Sequence, residues 1–396
     1  MKPVWLVLNI GSSTVKFGLF DVDDAQPLVR GVVEGIGLKP NLKATLPGGK
    51  LELRAPSNAR DAKELTLWLL GLLEGVLGPL DLHAAGHRVV HGGPEFNRPV
   101  LLTPEILEHL EGFCPLAPGH QPFNLAGIRA VEARWPGVPQ IACFDTAFHH
   151  DRPRLSRLYA LPRELADEGI LRYGFHGLSY DYIASRLPAV LGERARGKVI
   201  VAHLGSGASL CALENLKSVD TTMGFSALDG LMMGTRCGQI DPGVLLHFLR
   251  KGIPGPEIEA LLGKRSGLLG VSGISPDMRD LLASDAPEAA EAVELFVRSI
   301  IRQVGAMTAS LGGLDALVFT AGIGQHAPEV RTRVMQGLGW LGLEHDLAAN
   351  EAGLEIISRP GSRITAAVIP TDEEEVILRA LHQGEVLHFA PRAELT

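Results

Sequence analysis

The sequence predicts an α/β fold made of two domains of similar build. Two observations lead to this prediction. A strand–turn–strand pattern with a Gly- and Ser-rich turn occurs at residues 5–20 and again at residues 198–213, once in each half of the chain. Short apolar runs typical of strands alternate with helical patterns through the rest of the 396 residues. A motif that returns at long spacing indicates an internal duplication.

The turn of the first pattern is suited to an anion. It is rich in Gly and hydroxyl residues, among them Ser12, and Lys16 follows it. Converging backbone N–H groups, hydroxyls and one ammonium group can bind a phosphate. An ordinary serine-rich hairpin would have the same sequence. The second copy favours phosphate binding, and residues 316–324 resemble a third, partial copy with a strand and a glycine turn.

The other elements follow in chain order. Residues 21–60 carry no pattern that assigns their fold. Apolar residues at helical spacing predict helices over residues 61–77 and 291–309. The remaining predictions are a buried strand at 86–93, a Pro-punctuated loop at 115–124 entering a helix from Leu125, a strand at 141–144 ending on Asp145, a Gly-rich loop at 172–180 and a helix at 377–387.

Composition argues against several classes of protein. The net charge of −8 gives no basic field, so no nucleic-acid partner is expected. The most apolar stretch, residues 65–82, is interrupted by Gly71, Glu74 and Pro79, so no membrane segment is expected. The four cysteines lack CxxC spacing, which predicts reduced thiols in a cytoplasmic protein. The 14 histidines show no HxH or HExxH spacing, which argues against a zinc site.

Two other segments resemble nucleotide-binding motifs but lack the context that such motifs need. Residues 322–327 match the GxGxxA dinucleotide fingerprint, but they come late in the chain and Pro328 starts another helix. Residues 263–265 resemble the end of a P-loop, but no Ser or Thr follows the Lys and no strand precedes it. Neither a Rossmann site nor a P-loop is therefore predicted.

Ten segments resemble the successive motifs of the acetate kinase family, in the family's order. They run from Asn9 to about Val376 and read NIGSSTVKFGLFD, HRVVHGG, PLAPGHQPFNLAGI, CFDTAFHH, RYGFHGLSY, HLGSGASL, DTTMGFSALDGLMMGTRCGQIDP, SGLLGVSGISPDMRDL, FTAGIG and PTDEEEV. The resemblance implies two duplicated actin-like (ribonuclease H-like) domains with a nucleotide cleft between them. The first would comprise residues 1–144 with about 376–396, and the second residues 145–375.

The resemblance also implies a reaction. ATP would phosphorylate a short carboxylate such as acetate, reversibly and by direct in-line transfer, to give an acyl phosphate and ADP. Mg²⁺, with Mn²⁺ as an alternative, and a homodimer are further implications. Asn9 and Glu373 match the family's metal-proximal pair, although residues 372–375 would also suit the solvated start of a helix.

Because both substrates are anions, the site needs cations. Arg88 and Arg236 stand among small residues, and we expect the first to hold the carboxylate and the second the migrating phosphoryl group. His176 resembles the family histidine that donates a hydrogen bond to that group. A surface arginine and a core histidine are the structural alternatives.

Asp145 matches a residue to which the family assigns an acid/base role. A carboxylic acid with a pKa of roughly 4 to 5 is already ionised at pH 7 and needs no base. We therefore hypothesise that Asp145 positions Arg236 or the hydrated metal.

The resemblance assigns two sets of binding residues. For ATP these are Ser12, Lys16, His203, Leu204, Gly205, Ser206, Gly207, Asp277, Met278, Arg279, Gly322, Ile323, Gly324, Gln325 and His326. Ser206 replaces the usual Asn, and Gln325–His326 replaces Glu–Asn, which leaves the purine preference open. For the acyl group they are Val90, Phe175, Gly119 where Leu is usual and Ala227 where Pro is usual. Both small residues predict room for propionate or butyrate.

Two other functions share the phosphate-binding turns. A sugar or polyol kinase would need an aspartate poised for an alcohol, and a nucleotide-gated interaction protein would lack the set of Arg88, Phe175 and Arg236.

Overall fold

The structure, a computed structural model, describes residues 3–11, 14–36, 40–46, 48–56 and 61–386. The chain divides into two compact units. Unit 1 contains residues 1–147 and 372–396, and unit 2 contains residues 148–371. The chain thus passes between the units twice, near the predicted boundaries at 144/145 and about 375/376.

Unit 1 is built on an eight-stranded sheet. Its strands are β1 (Pro3–Ile10), β2 (Thr14–Asp21), β3 (Pro27–Glu34), β4 (Asn41–Leu46), β5 (Gly49–Arg54), β6 (Asp81–Val89), β7 (Val100–Leu101) and β8 (Gln140–Phe144). The order is β5-β4-β3-β2-β1-β6-β8-β7. β1, β2 and β3 pair antiparallel in succession, whereas β1, β6 and β8 run parallel. The predicted hairpin is confirmed, and the unassigned region forms β3, β4 and β5.

Unit 2 repeats this arrangement in a five-stranded sheet. Its strands are β9 (Lys198–Leu204), β10 (Ala208–Glu214), β11 (Lys217–Thr221), β12 (Ala316–Thr320) and β13 (Thr365–Val368), in the order β11-β10-β9-β12-β13. β9, β10 and β11 pair antiparallel, and β9, β12 and β13 run parallel. This order matches β3-β2-β1-β6-β8 strand for strand. The predicted duplication of a ribonuclease H-like sheet is therefore confirmed.

Helices cover these sheets. Unit 1 contains α1 (Ala62–Leu77), α2 (Pro104–Gly112) and α3 (Gln121–Arg134). Unit 2 contains α4 (Arg154–Arg157), α5 (Arg163–Asp167), α6 (Gly177–Leu191), α7 (Pro242–Arg250), α8 (Gly255–Lys264), α9 (Gly267–Ser272), α10 (Met278–Leu282), α11 (Pro287–Leu311), α12 (Ala321–His326), α13 (Pro328–Gly337) and α14 (Leu347–Glu351). The chain then returns to unit 1 in α15 (Glu373–Val386). None of these helices, within the residues described, has both the length and the hydropathy to cross a bilayer.

Local sequence explains the long helices. The carboxylate of Asp61 accepts a hydrogen bond from the Glu64 N–H and caps α1. The buried face of α1 includes Leu65, Leu69 and Leu73, which join the core under the sheet of unit 1. α11 buries its apolar side along 25 residues. Burying such a leucine stabilises the fold by about 1.5–3 kcal/mol.

The prediction of a third strand–turn copy at residues 316–324 is correct for its strand, β12, and wrong for its glycine turn. β12 is followed by α12 rather than by a glycine turn. Both neighbours of β12, β9 and β13, are already paired to it, so no edge remains for a returning strand. Ala321 adopts a left-handed conformation, φ 63°, where the chain leaves the sheet.

Candidate active site

Three parallel strands bring Asn9, Arg88 and Asp145 to one edge of the sheet in unit 1. Asn9 and Arg88 are the penultimate residues of β1 and β6, and Asp145 directly follows β8. Carboxyl ends of parallel strands are where open α/β sheets bind ligands. Nε of Arg88 donates to Oδ1 of Asp145 at 2.9 Å, and Nη2 donates to Oδ2 at 2.5 Å. This two-point pair fixes the plane of the guanidinium group.

Asn9 connects this pair to Glu373, the first residue of α15. Its Oδ1 accepts a hydrogen bond from Nη1 of Arg88 at 3.0 Å, and its Nδ2 donates to Oε2 of Glu373 at 2.9 Å. Oε2 of Glu373 also lies 4.0 Å from Nε of Arg88. The four residues form one connected cluster, which we call the arginine cluster.

The arginine cluster keeps Arg88 charged. Burial by itself would lower the pKa of Arg88, but the charges of Asp145 and Glu373 raise it above its ordinary value. The side chain of Asp145 is 1% exposed and that of Arg88 15% exposed. A cation in such surroundings interacts with an anion far more strongly than it would in water.

Two buried amides, Gln121 and Asn124 in the first turn of α3, fix the segment after Arg88. Oδ1 of Asn124 accepts from the Val90 N–H at 2.9 Å, and its Nδ2 donates to the Ile10 carbonyl at 2.5 Å. Gln121 bonds both the N–H and the carbonyl of His91, each at 3.1 Å. The ends of β1 and β6 are thereby tied to the same helix.

Other predicted residues of unit 1 lie nearby in the chain or sheet. Lys16 pairs directly with Asn9 across β1 and β2, so both side chains project from the same face. Gly119 lies in the turn before α3, where an added Cβ would meet no atom within 4 Å. The position therefore offers open space. Ser12 lies outside the described residues.

In unit 2, His176 and Arg236 converge on Gly207. A Cβ added to Gly207 would lie 2.8 Å from Nη2 of Arg236 and 3.2 Å from Nε2 of His176. Nη1 of Arg236 donates to the Ala227 carbonyl at 2.7 Å. His176 has a left-handed backbone, φ 58°, immediately before α6. Strained conformations of non-glycine residues cluster at functional sites.

Two histidine rings stack beside this glycine. The centroids of His176 and His203 are 4.2 Å apart and the rings are inclined by 17°. Nδ1 of His176 lies 2.9 Å from Oγ of Ser209, which lies 2.5 Å from the Tyr180 hydroxyl. Nδ1 of His203 lies 2.8 Å from Oγ of Ser179. Each ring is therefore held through its Nδ1 by a serine.

Phe175 is buried, and its backbone carbonyl is bonded to the ring of His149. Nε2 of His149 lies 2.9 Å from the Phe175 carbonyl, and Nδ1 lies 2.8 Å from Oγ of Ser218. Burial, with a smaller contribution from Arg152, lowers the pKa of His149 to about 3. His149 is therefore a neutral structural residue that orients the backbone next to His176.

Apart from Ser12 and Lys16 in unit 1, the predicted nucleotide residues occupy three segments of unit 2. The turn between β9 and β10 is closed by a bond from the Gly205 N–H to the Gly207 carbonyl at 3.0 Å. Asp277 caps α10 and pairs with Arg279 at 2.6 Å, while Met278 is buried. In α12, Gly324 is buried, whereas Gly322 and His326 are exposed.

The buried Arg331 supports α12. Its Nη1 donates to the carbonyls of Gly324 and Gln325 at 2.9 and 2.7 Å, and its Nε donates to Oδ1 of Asn350 at 2.6 Å. A helix of this length ends with unsatisfied carbonyls unless a donor is supplied. Arg331 supplies it and fixes the predicted adenosine segment.

The sequence profile of the acetokinase family matches residues 4–379. The chain belongs to this family. It is 51% identical over 389 residues to an acetate kinase of Rhodopseudomonas palustris, covering 96% of this chain and 98% of that one. It is 49% identical over 384 residues to an acetate kinase of Rhizobium meliloti, with 94% and 96% covered.

Solved structures of the family have the same fold. The acetate kinase of Porphyromonas gingivalis matches with a TM-score of 0.84 at 38% identity, covering 96% of this chain and 98% of that one. A propionate kinase of Francisella tularensis matches with a TM-score of 0.87 at 37% identity, covering 95% and 98%. The predicted family and α/β fold class are confirmed.

The structure brings many of the predicted residues together within each unit. In unit 1 the arginine cluster joins Asn9, Arg88, Asp145 and Glu373. In unit 2 the side chains of His176 and Arg236 meet beside Gly207, where His203 stacks on His176 and the Ala227 carbonyl accepts from Arg236. Asp145 has a partner that the sequence did not predict, Arg88. Sequence reasoning also missed Gln121, Asn124, Ser209, Tyr180 and Arg331. Gln121 and Asn124 could have been found from the sequence, because the QPFN segment places two amide side chains in an apolar loop.

Proposed function

We propose that this chain transfers the γ-phosphoryl group of ATP to the carboxylate of a short-chain acid, acetate foremost, giving an acyl phosphate and ADP. The observation that carries the proposal is the arginine cluster. It presents a charged, oriented guanidinium at the carboxyl ends of three parallel strands in a member of the acetokinase family. The reaction is reversible, because an acyl phosphate and ATP both contain reactive phosphoryl groups.

Arg88 would bind the carboxylate. Its bonds to Asp145 and Asn9 account for three of the five guanidinium hydrogens. The others suit a carboxylate oxygen, and the group's orientation is already fixed. Pre-orientation of this kind lowers the entropy loss on reaching a productive geometry. Asp145 would act as a positioning residue for Arg88 and not as a base, because the acid is ionised before it binds.

His176 and Arg236 would act on the transferring group. Their Nε2 and Nη2 atoms face the same space above Gly207, so two donors can reach the equatorial oxygens of one phosphoryl group. The negative charge on those oxygens is what an enzyme must stabilise during phosphoryl transfer. The glycine permits the close approach, and no covalent intermediate with the protein is needed.

Asn9 and Glu373 would contact the hydrated Mg²⁺ of Mg-ATP. The fit rests on chemistry: Mg²⁺ takes few protein ligands and prefers carboxylate oxygens, waters and phosphates. Of the two carboxylates in the arginine cluster, that of Glu373 is the one bonded to Asn9, and no group of three or more His, Cys, Asp and Glu side chains suited to a metal occurs among the described residues. Bound Mg²⁺ would neutralise phosphate charge. Mn²⁺ has the same ligand preference.

ATP would be held by unit 2. The turn between β9 and β10 would take the phosphates, and the segments 277–279 and 322–326 would surround the adenosine. The fixed position of α12 on Arg331 supports this role. Since Ser206, Gln325 and His326 depart from the family pattern, guanosine triphosphate is the informative competitor in an assay.

The acyl pocket would accept more than acetate. Gly119 leaves open space where the family has a larger residue, and Val90 and Phe175 are buried apolar neighbours of the cationic residues. Each added methylene that is buried contributes about 0.8 kcal/mol. Propionate and butyrate are therefore proposed as competing substrates.

We also propose a homodimer in the cytoplasm. Leu246 and Leu249 of α7 are 50% and 54% exposed, and Leu155 of α4 is 85% exposed. Apolar side chains of this size on short surface helices suit contact with a second copy. No disulfide joins the four cysteines, all of which lie in described segments of the chain, and reduced cysteines suit a compartment in which glutathione keeps thiols reduced.

One assay tests the reaction. The protein is incubated with Mg-ATP, hydroxylamine and acetate, propionate or butyrate, since only an acyl phosphate yields a hydroxamate. Glucose and glycerol replace the acid in parallel, and ADP is measured without any acceptor. Hydroxamate formation supports the proposal. ADP release that depends on an alcohol, or that needs no acceptor, would instead identify a polyol kinase or a nucleotide-gated protein.

A further inference from the structure

The side chain of His176 is connected to a buried tyrosine through Ser209. Nδ1 of His176 lies 2.9 Å from Oγ of Ser209, and Oγ of Ser209 lies 2.5 Å from Oη of Tyr180. Ser209 and Tyr180 are both 0% exposed. The three groups form a chain of two hydrogen bonds whose direction depends on where each hydrogen lies.

The tyrosine fixes the direction of this chain. Tyr180 is surrounded by an apolar cluster and by the rings of Phe148, His149 and His203. Among residues 61–386, which the structure describes without a gap, the partner of the Tyr180 hydroxyl is Oγ of Ser209. Burial raises the pKa of Tyr180 well above its usual range, so the phenol keeps its hydrogen. A buried donor without an acceptor is costly, so the phenol donates to Oγ of Ser209.

The direction of these hydrogen bonds determines which ring nitrogen of His176 carries the hydrogen. Since Oγ of Ser209 accepts from the phenol, its own hydrogen points to its other partner, Nδ1 of His176. A neutral imidazole carries one hydrogen. If Nδ1 accepts, the hydrogen lies on Nε2, the atom that faces the space above Gly207 beside Arg236.

We infer that Ser209 and Tyr180 are positioning residues, which hold neutral His176 in the tautomer with its hydrogen on Nε2. This inference rests on the proposed function, in which Nε2–H donates to the transferring phosphoryl group. Without the relay, a neutral ring could turn a lone pair toward the phosphoryl oxygens and repel them. With it, His176 donates whether or not the ring is charged.

Two groups beside His176 disfavour a positive charge on its ring. His203 of β9 stacks on it at 4.2 Å, and Arg236, from the loop before α7, reaches the same glycine. Tyr180 of α6 is neutral. A positive charge on His176 would therefore face a guanidinium and a second imidazole, and the tautomer of the neutral form decides what Nε2 presents.

The test uses the full-length protein labelled with ¹⁵N in its histidines. Long-range ¹H–¹⁵N spectra at about pH 8 report which ring nitrogen carries hydrogen, and the His176→Gln variant assigns the signal. We expect the Nε2–H pattern in the wild type and a mixture of tautomers in Ser209→Ala. This readout does not depend on turnover, so it stands even if the wild type forms no hydroxamate.

Kinetics provide the second readout. Ser209→Ala should lower kcat about tenfold, the equivalent of one net hydrogen bond, with both KM values within about twofold. Its kcat should fall as the pH rises through the range in which the His176 ring loses its proton, whereas the wild-type kcat should not. Tyr180→Phe, which keeps the ring, should show the same trend more weakly and remains available if Ser209→Ala does not fold.

Ser358→Ala is the control. It removes another buried serine hydroxyl of unit 2, one that accepts from the Ala366 N–H at 3.1 Å, and should leave the His176 signal and kcat unchanged. A wild-type signal of the Nδ1–H form would overturn the inference. So would a Ser209→Ala protein whose tautomer and pH profile equal those of the wild type.

Discussion

Arg88 and Asp145 meet through two parallel hydrogen bonds, at 2.9 Å between Nε and Oδ1 and 2.5 Å between Nη2 and Oδ2. The residues are 57 positions apart in the chain, and the parallel pairing of β6 with β8 brings them together. The aspartate therefore acts on Arg88, the residue proposed to bind the carboxylate, through geometry and charge, and this effect is separate from proton transfer.

Asp145→Asn should lower kcat/KM for the carboxylate strongly. An asparagine accepts one of the two bonds but turns an N–H toward Nη2, so Arg88 loses its orientation. Breaking one partner of a buried charge pair costs about 2–5 kcal/mol, or roughly 30- to 4,000-fold. Steady-state kinetics with acetate measure this. Glu111→Gln, which breaks an exposed pair with Arg129, should change little. Near-normal turnover of Asp145→Asn would contradict the role.

Glu373→Gln should raise the Mg²⁺ requirement. The amide oxygen still accepts from Asn9, so the hydrogen bond at 2.9 Å survives, but the negative charge is lost. Partners of a metal site are typically worth 10- to 100-fold in metal affinity. We expect the Mg²⁺ concentration for half-maximal activity to rise about tenfold, with recovery at saturation. Glu375→Gln, an exposed residue in the same helical turn, is the control, and equal Mg²⁺ curves for both variants would count against Glu373.

Gly119→Leu should restore selectivity for acetate. The wild type has open space around Gly119, so kcat/KM should not fall steeply from acetate to butyrate. Filling that space removes the contribution of two methylenes, about 0.8 kcal/mol each, or roughly 16-fold in the butyrate-to-acetate ratio. Hydroxamate assays across the acids measure it. Gly112→Leu adds the same side chain where a Cβ also meets no atom within 4 Å and should leave the ratio unchanged. A wild-type preference already steep for acetate would refute the idea.

Gly207→Ala should reduce kcat without unfolding the protein. The methyl group would lie 2.8 Å from Nη2 of Arg236 and 3.2 Å from Nε2 of His176, so both side chains must move. Misplacement of catalytic groups by about 1 Å costs on the order of 100-fold. Gly305→Ala, in the interior of α11 with no atom within 4 Å of the added group, should keep full activity. If Gly207→Ala also keeps full activity, Arg236 and His176 do not act at this glycine.

The sequence predicted the hairpins and long helices because each is encoded locally. Glycine turns between apolar runs identified β1–β2 and β9–β10, and leucines at helical spacing identified α1. β5 could not be predicted in this way, because its burial pattern shows five exposed residues of six and no alternation between faces. The turn predicted after β12 was wrong because parallel neighbours on both sides force the chain out of the sheet.

The sequence also pointed to Arg88 and His176, but not to their partners. Arg88 and His176 stand in Gly-rich segments that are visible in the sequence. Arg88 meets Asp145 across 57 positions through the pairing of β6 with β8, and His176, in the loop before α6, meets Ser209 of β10 across 33 positions. Periodicity reports which face a residue occupies and says nothing about which distant residue faces it.

The buried histidines should make the protein sensitive to acid. Burial lowers the pKa of His87 to about 4, although its bond to Gln140 acts in the opposite direction, and burial also lowers the pKa of His91 to about 4. Both stay neutral in the fold while the unfolded chain, with a pKa of about 6.5, binds protons. Their contribution to stability is therefore complete above pH 6.5 and lost as the pH falls toward 4.

Urea unfolding between pH 8 and 4.5 measures this loss. At pH 5 each histidine should cost about 2 kcal/mol of unfolding free energy relative to pH 8, because 1.5 pH units separate pH 5 from the unfolded pKa of about 6.5. His87→Gln keeps a donor for Gln140 Oε1, which lies 2.8 Å from His87 Nε2, and does not titrate. Between pH 6 and pH 5, its unfolding free energy should fall by about 1.2 kcal/mol less than that of the wild type. Parallel curves for wild type and His87→Gln would show that the imidazole is protonated in the fold.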